Sequence, residues 1–377
     1  MPTITYLTTI QFDFGAVKLL GGETKAVGIS RPLVVTDKGV AACGVLDKVL
    51  EHLPDAMQVS IFDGTPENPT EAAVLEALVQ YRANDCDGLI AVGGGSPMDL
   101  AKGVAILTAH EPPLEQYAAI LGGAAKITDK VAPVIAVPTT AGTGSEVGRG
   151  AILTLNDGRK LGFASPNNIP RLAICDPELT LGLPKRLTAA TGMDAVAHCV
   201  ETFISPVVNP PAEGIAIEGL RRAMGFIERA VGDGGDREAR WEMMMAAMMG
   251  AMAFQKGLGA VHAISHPLGG LQEPRLHHGT LNAVVMPAVL RYNASHVGDK
   301  YDRLRVAMGL EVGTDLPSFI EEFNAKLELP ANLRKMGVPD AIVPNMAAAA
   351  EIDHCNATNP RPATKDDYLA LIQEAMG

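Results

Sequence analysis

Short apolar runs and longer helical repeats alternate through the first half of the chain. Pro32-Leu-Val-Val-Thr-Asp37 reads as a strand buried on both faces, and a helix is expected after it as far as about Leu53. Val59-Ser-Ile-Phe62 predicts a second strand. Thr70 is placed to cap a helix whose apolar Val74, Leu75, Leu78 and Tyr81 fall on one face. Gly88-Leu-Ile-Ala-Val92 predicts a third strand that runs straight into Gly93-Gly-Gly-Ser-Pro97 and a new helix, and residues 131–137 predict a fourth. Strands separated by helices imply a parallel sheet with helices on both faces. Residues 151–155 and 160–164 predict a β-hairpin turning at Asp157-Gly158, and 172–175 a last strand.

From about Pro184 the rhythm changes. Strand runs vanish, and helical patterns rich in Ala, Met and Leu follow at 188–204, 211–232, 236–255 and 281–293. The expected architecture is therefore α/β plus all-α: a Rossmann-like dinucleotide-binding domain over 1–183, then an all-helical domain over 184–377. A cleft between two such domains is the usual place for a small-molecule site. There is no internal repeat.

Composition narrows the function. With 377 residues the chain exceeds one ordinary core, and 47% hydrophobic against 20% charged residues describes a well-packed globular protein. A formal charge of −12 argues against a nucleic-acid partner, which needs clustered Lys and Arg. Five scattered cysteines without a CxxC pair point to free thiols in a reducing compartment. The first residues lack the basic and apolar segments of a signal peptide, and the apolar stretch 243–254 is too short to span a bilayer, so a buried core helix and a cytoplasmic protein are expected.

Two glycine-rich loops suggest a nucleotide. Gly93-Gly94-Gly95-Ser96-Pro97 joins a strand end to a helix N-terminus, where backbone N–H groups can approach a pyrophosphate; it is not the GxGxxG fingerprint. Pro138-Thr-Thr-Ala-Gly-Thr-Gly-Ser-Glu146 follows the next strand and offers hydroxyls and glycines for ribose and phosphate. Asp37, at the end of the first predicted strand, suits a ribose hydroxyl and would repel a 2′-phosphate, favouring NAD over NADP; it equally suits a helix N-cap.

Five of the nine histidines lie between 198 and 278. Asp194 and His198 are four apart on an otherwise apolar helical stretch, so they share a face, and His262 and His266 repeat the spacing before His277-His278-Gly279. A carboxylate buried on such a helix without a cation would be costly. One Asp with several His and no thiolate suits Fe(II) or Zn(II) with an open position, which beside a nicotinamide would polarise a carbonyl or stabilise an alkoxide.

Together these motifs resemble the iron-containing (group III) alcohol dehydrogenase family. The resemblance spans nearly the whole chain: Thr36-Asp37-Lys38, Pro66-Glu-Asn-Pro-Thr70, GGGSPMDLAK at 93–102, PTTAGTGSEV at 138–147, Asp176-Pro177, Met193-Asp194-Ala195, GLGAVHAISHPLGG at 257–270, His278-Gly279 and Asn359-Pro-Arg361. It implies a metal held by Asp194, His198, His262 and His278, with His278 preferred to His277 because it precedes the family's glycine. By the same resemblance Asp37, Asn68, Gly94, Gly95, Ser96, Thr139, Thr140, Thr143 and Lys160 contact NAD, and His266 is an active-site histidine, either a proton relay or a hydrogen-bonding support to the ligands. A homodimer or larger homo-oligomer is the family's expectation.

Gly148-Arg149, with residues 157–163 and 277–293, looks most like the family's 4-hydroxybutyrate dehydrogenase branch. The implied reaction interconverts a small primary alcohol and its aldehyde, 4-hydroxybutyrate and succinate semialdehyde, with Arg149 holding the carboxylate. The alternatives are a neutral-alcohol or diol dehydrogenase of the propanediol or lactaldehyde type, and a metal-dependent lyase of the dehydroquinate synthase type.

Overall fold

The structure is a computed structural model, and it describes residues 8–271 and 273–377. The chain divides into two compact units. Among the described residues, one comprises those as far as Thr140 together with Gly144–Thr180; the other is Leu181–Gly377 with the short segment Ala141–Thr143.

The first unit runs β1 (Thr9–Phe12), α1 (Leu20–Val27), β2 (Pro32–Val35), α2 (Lys38–Ala42), α3 (Val45–Leu50), β3 (Ser60–Phe62), α4 (Glu71–Ala83), β4 (Gly88–Gly93), α5 (Gly95–Ala109), β5 (Val134–Pro138), β6 (Gly150–Thr154), β7 (Lys160–Ala164) and β8 (Leu172–Cys175). Six strands form a parallel sheet in the order β1-β8-β5-β4-β2-β3, and β6 and β7 pair separately as the expected hairpin. The unbroken apolar runs follow from burial on both faces. Leu33, Val35, Leu89, Ala91, Val134 and Ala136 pack on one side with residues of α4 and α5, while Val34, Ile90, Val92, Ile135 and Val137 pack on the other with Leu20, Leu46 and Val49.

Three local details differ from the expectation. The helix after β2 breaks in two at Gly44, whose φ of 77° is left-handed. The strand expected at 131–137 starts at Val134, after a proline that has no N–H for the ladder. The edge strand β1, pairing Thr9–Phe12 with Leu172–Cys175, has no apolar run to announce it.

The sheet reverses its direction of growth between β2 and β4, because the chain first extends outward to β3 and then returns to the other side of β2. Ligands of open parallel sheets bind outside the carboxyl ends of the strands flanking such a switch point. Asp37 follows β2, Gly94 and Gly95 follow β4, and Thr139 and Thr140 follow β5. The candidate cofactor segments therefore stand on adjacent strands.

The second unit contains α6 (Lys185–Ile204), α7 (Pro210–Gly232), α8 (Arg237–Ala253), α9 (Ala260–Gly269), α10 (His278–Asn293), α11 (Lys300–Ala307), α12 (Leu316–Lys326), α13 (Val343–Glu351) and α14 (Lys365–Met376). α6 is its axis: every residue from Thr188 to Ile204 is buried, with α7, α8 and α10 packed around it. The 243–254 stretch lies in α8 and the turn after it, and no helix among the described residues is long and apolar enough to cross a membrane.

Candidate metal centre and cofactor loops

The candidate metal centre is built from three helices. Asp194 and His198 project one turn apart from α6, His262 comes from the first turn of α9, and His278 opens α10. Asp194 Oδ1 lies 3.8 Å from His198 Nε2, 3.9 Å from His262 Nε2 and 3.7 Å from His278 Nε2. Ligands on a tetrahedral ion with bonds near 2.1 Å stand about 3.4 Å apart. Each of the three imidazole Nε2 atoms thus stands near the distance from this carboxylate oxygen that a shared divalent ion would impose; Asp194, His262 and His278 also have ligand atoms within 4.8 Å of one another, and His198 lies outside that group of three. Burial lowers the pKa of His198 to about 4, so its ring is neutral and free to act as a ligand. His277 occupies the N-cap position of α10, with no side-chain cap bond.

Gly279 sets this geometry. A Cβ there would lie 2.2 Å from the Ala190 carbonyl oxygen, so only glycine lets the start of α10 approach α6 closely enough to bring His278 to Asp194.

Two supporting residues escape sequence reasoning. Glu201, also on α6 and almost fully buried, accepts from the Val261 N–H at 2.7 Å and meets His262 Nδ1 at 2.5 Å. It thereby serves the start of α9, where the N-cap Gly259 has no side chain to offer, while Asn359 Oδ1 accepts from Ala260 N–H. A carboxylate at Nδ1 makes that nitrogen the donor and turns the Nε2 lone pair toward the centre. Burial opposes the charge on His262, but the Glu201 hydrogen bond and charge outweigh it and raise the pKa. Asn282, one turn beyond His278, donates its amide to Asp194 Oδ1 at 2.7 Å. The signal available for Glu201 was its spacing: 194, 198 and 201 form one polar stripe on an apolar helix.

His266 lies one turn past His262, with its Nδ1 2.9 Å from Asp353 Oδ2. Burial works against the Asp353 charge, yet the facing His266 holds its carboxyl well below the ordinary carboxylate range.

In the other unit, α5 begins at Gly95 with no side-chain cap on its first N–H groups, leaving donors of a fifteen-residue helix for an anion. Gly93 has a φ of 151°, and a Cβ on it would meet Pro97 Cγ at 2.6 Å. The loop thus requires glycine at this point and fits a pyrophosphate. Asp37 caps α2 through a 3.0 Å bond from Val40 N–H to Oδ1, which is the structural role foreseen for it and leaves Oδ2 for a ribose. Lys160 Nζ donates to Asn68 Oδ1 at 3.0 Å, joining two of the expected cofactor residues. Thr139 N–H bonds to the Gly93 carbonyl and Thr140 touches the Gly94 position, whereas Thr143 belongs to the segment clustered with the helical unit.

The turn carrying Arg149 is rigidly held. Fully buried Lys102 donates to the Ser145, Gly148 and Gly150 carbonyls and to Ser145 Oγ, all within 3.0 Å, and Asp99 accepts from Ser145 Oγ and Ile152 N–H. Burial lowers Lys102 to about 8 and raises neighbouring Glu146 to about 7. Arg149 itself is exposed and makes no ion pair with Glu146.

The family described as iron-containing alcohol dehydrogenase matches residues 8–177, and its C-terminal domain matches 188–376. A 4-hydroxybutyrate dehydrogenase from Cupriavidus necator is 58% identical over 383 residues, covering 100% of both chains. A 1,3-propanediol dehydrogenase from Klebsiella pneumoniae is 37% identical, covering 97% of this chain and 96% of its own. Among solved structures, that of a 1,3-propanediol oxidoreductase superposes with a TM-score of 0.92 at 36% identity, covering 99% of this chain and 100% of the other.

Proposed function

The chain belongs to the iron-containing alcohol dehydrogenase family, and from that premise we propose that it interconverts 4-hydroxybutyrate and succinate semialdehyde, using NAD and a metal held by Asp194, His198, His262 and His278. The observation that carries the metal assignment is the convergence of three imidazole nitrogens on one buried carboxylate oxygen. The substrate assignment leans on the full-length likeness to the Cupriavidus enzyme and on an exposed guanidinium, Arg149, on a turn held by buried Lys102.

When bound, Fe(II) acts as a Lewis acid toward the substrate oxygen and NAD accepts the hydride. The side chains do the remaining work. Glu201 fixes the His262 tautomer, and Asn282 anchors the Asp194 carboxylate. Asp353 accepts from His266 Nδ1–H, which leaves His266 Nε2 to take the proton released by the alcohol. The uncapped N–H groups of Gly95 and Ser96 would receive the NAD pyrophosphate. Arg149 would hold the substrate carboxylate in a charge-assisted pair.

This reading is tested by splitting the two ends of the substrate. Arg149→Ala should raise KM for 4-hydroxybutyrate about tenfold or more, the cost of one charge-assisted bond, with little change for 1,3-propanediol. Equal losses for both substrates would make Arg149 structural and favour the neutral-diol reading. Cofactor choice gives a second check. If the Asp37 carboxylate faces the ribose, NAD should be preferred over NADP by about 2 kcal/mol, roughly 30-fold, and Asp37→Gly should erase most of the preference. Equal kcat/KM for both cofactors in the unaltered chain would leave Asp37 a helix cap alone.

A further inference from the structure

A second cluster of ligand-type side chains lies beside the centre described above. The ligand atoms of His266, Asp353, His354 and Cys355 all fall within 4.8 Å of one another. Asp353 Oδ2 is 2.9 Å from His266 Nδ1, Asp353 Oδ1 is 3.5 Å from His354 Nδ1, and Cys355 Sγ is 3.5 Å from His354 Nε2. The His266 and His354 rings stack at 5.5 Å with 15° between their planes. Orienting His266 needs only the Asp353 carboxylate; it gives no reason for an imidazole and a thiol to gather on the same group.

We propose that His266, Asp353, His354 and Cys355 form a second transition-metal site, distinct from the Asp194 centre and selective for borderline or soft ions such as Zn(II) and Co(II).

Bonds of 2.0–2.3 Å around a four-coordinate ion set ligand atoms roughly 3.3–3.7 Å apart, and one donor atom from each of these four residues lies within 4.8 Å of the others, a spread that small side-chain rotations close. Two nitrogens, one oxygen and one sulfur suit Zn(II) or Co(II) better than Mg(II) or Ca(II). Three of the four donors come from consecutive residues, and the turn is held by the 2.8 Å bond from Cys355 N–H to Asp353 Oδ1. His354, about half exposed, gives an ion its way in, while the buried Cys355 supplies sulfur once binding displaces the thiol proton to solvent. Occupation would engage His266 and so slow turnover; that consequence rests on the proton-relay reading of His266, whereas the site itself does not.

The sulfur provides a signature the first centre cannot give, since Asp194 and its three histidines include no thiolate. Iron-loaded protein titrated anaerobically with Co(II) should develop a near-ultraviolet thiolate-to-cobalt charge-transfer band that saturates at about one added equivalent. Cys355→Ala should abolish the band without loss of iron. His354→Ala, at an exposed position that folding tolerates, should weaken Co(II) binding about tenfold or more. Absence of the band at millimolar Co(II), or its survival in Cys355→Ala through exposed Cys43, overturns the proposal. A saturating band with unchanged turnover would uphold the site and count against His266 as the relay.

Discussion

His198→Ala is expected to reduce turnover at least about a thousandfold, because loss of Lewis-acid assistance is worth several kcal/mol and each 1.36 kcal/mol is a factor of ten. The substitution removes one of the three nitrogens that face Asp194 Oδ1 and leaves a buried carboxylate with two imidazoles and the Asn282 amide. The helix that carries it has its own reasons to form, since α6 is buried from Thr188 to Ile204 and packs against α7, α8 and α10. Circular dichroism should therefore report native helix content while metal analysis reports a depleted chain. A His198→Ala chain that binds metal and turns over normally would remove His198 from the centre.

The second large effect concerns a residue that ligates nothing. Gly279→Ala puts a methyl group 2.2 Å from the Ala190 carbonyl oxygen, and the obstacle is backbone, which cannot rotate aside. The start of α10 must move away from α6 and take His278 with it. Disturbing an outer partner of a metal ligand costs about 10–100-fold in affinity, so displacing a ligand should cost more than about a hundredfold. Overpacking should also cost about 1–3 kcal/mol of stability. Gly225→Ala is the matched control: it lies on the exposed face of α7 with nothing within 4 Å of the added methyl, and should be neutral or slightly stabilising. Equal metal affinity in Gly279→Ala and the unaltered chain, read by competition with a chelator, would show that the close helix contact does not position His278.

These two substitutions also mark the limit of what sequence alone reveals. Asp194 and His198 are visible because a helix turns an i,i+4 spacing into a shared face before any tertiary structure is known. The central strands are visible because burial on both faces leaves unbroken apolar runs such as Leu89-Ile-Ala-Val92. The hairpin is visible in Asp157-Gly158, where Gly158 takes a φ of 88°. The edge strand β1 is not, since Thr9-Ile-Gln-Phe12 mixes polar and apolar positions along a half-covered edge. Nor are the roles of Gly279, Asn282 and Asp353, each of which depends on a partner 87 or more positions away: Ala190, Asp194 and His266 respectively. Glu201 lies between these cases. Its spacing from Asp194 and His198 was readable, but not its service to the uncapped start of α9, which requires knowing that α9 begins against it.

Asn359 and Lys102 show motif residues acting through structure rather than chemistry. Asn359 accepts from Ala260 N–H and exchanges bonds with Asn293, tying the C-terminal loop to the helix that bears His262. Lys102 donates its ammonium to the loop between β5 and β6 and to Gly150 at the start of β6. Such residues set where a guanidinium or an imidazole stands without touching substrate.

The dependence of turnover on a metal at the four-residue centre is tested most directly by stripping the protein with a chelator and following NADH formation from 4-hydroxybutyrate before and after anaerobic addition of Fe(II). Activity should fall to background and return as about one equivalent of Fe(II) is taken up by the unaltered chain, with no recovery in His198→Ala. Full turnover in a stripped chain that retains less than about a tenth of an equivalent of metal would contradict the assignment of Asp194, His198, His262 and His278.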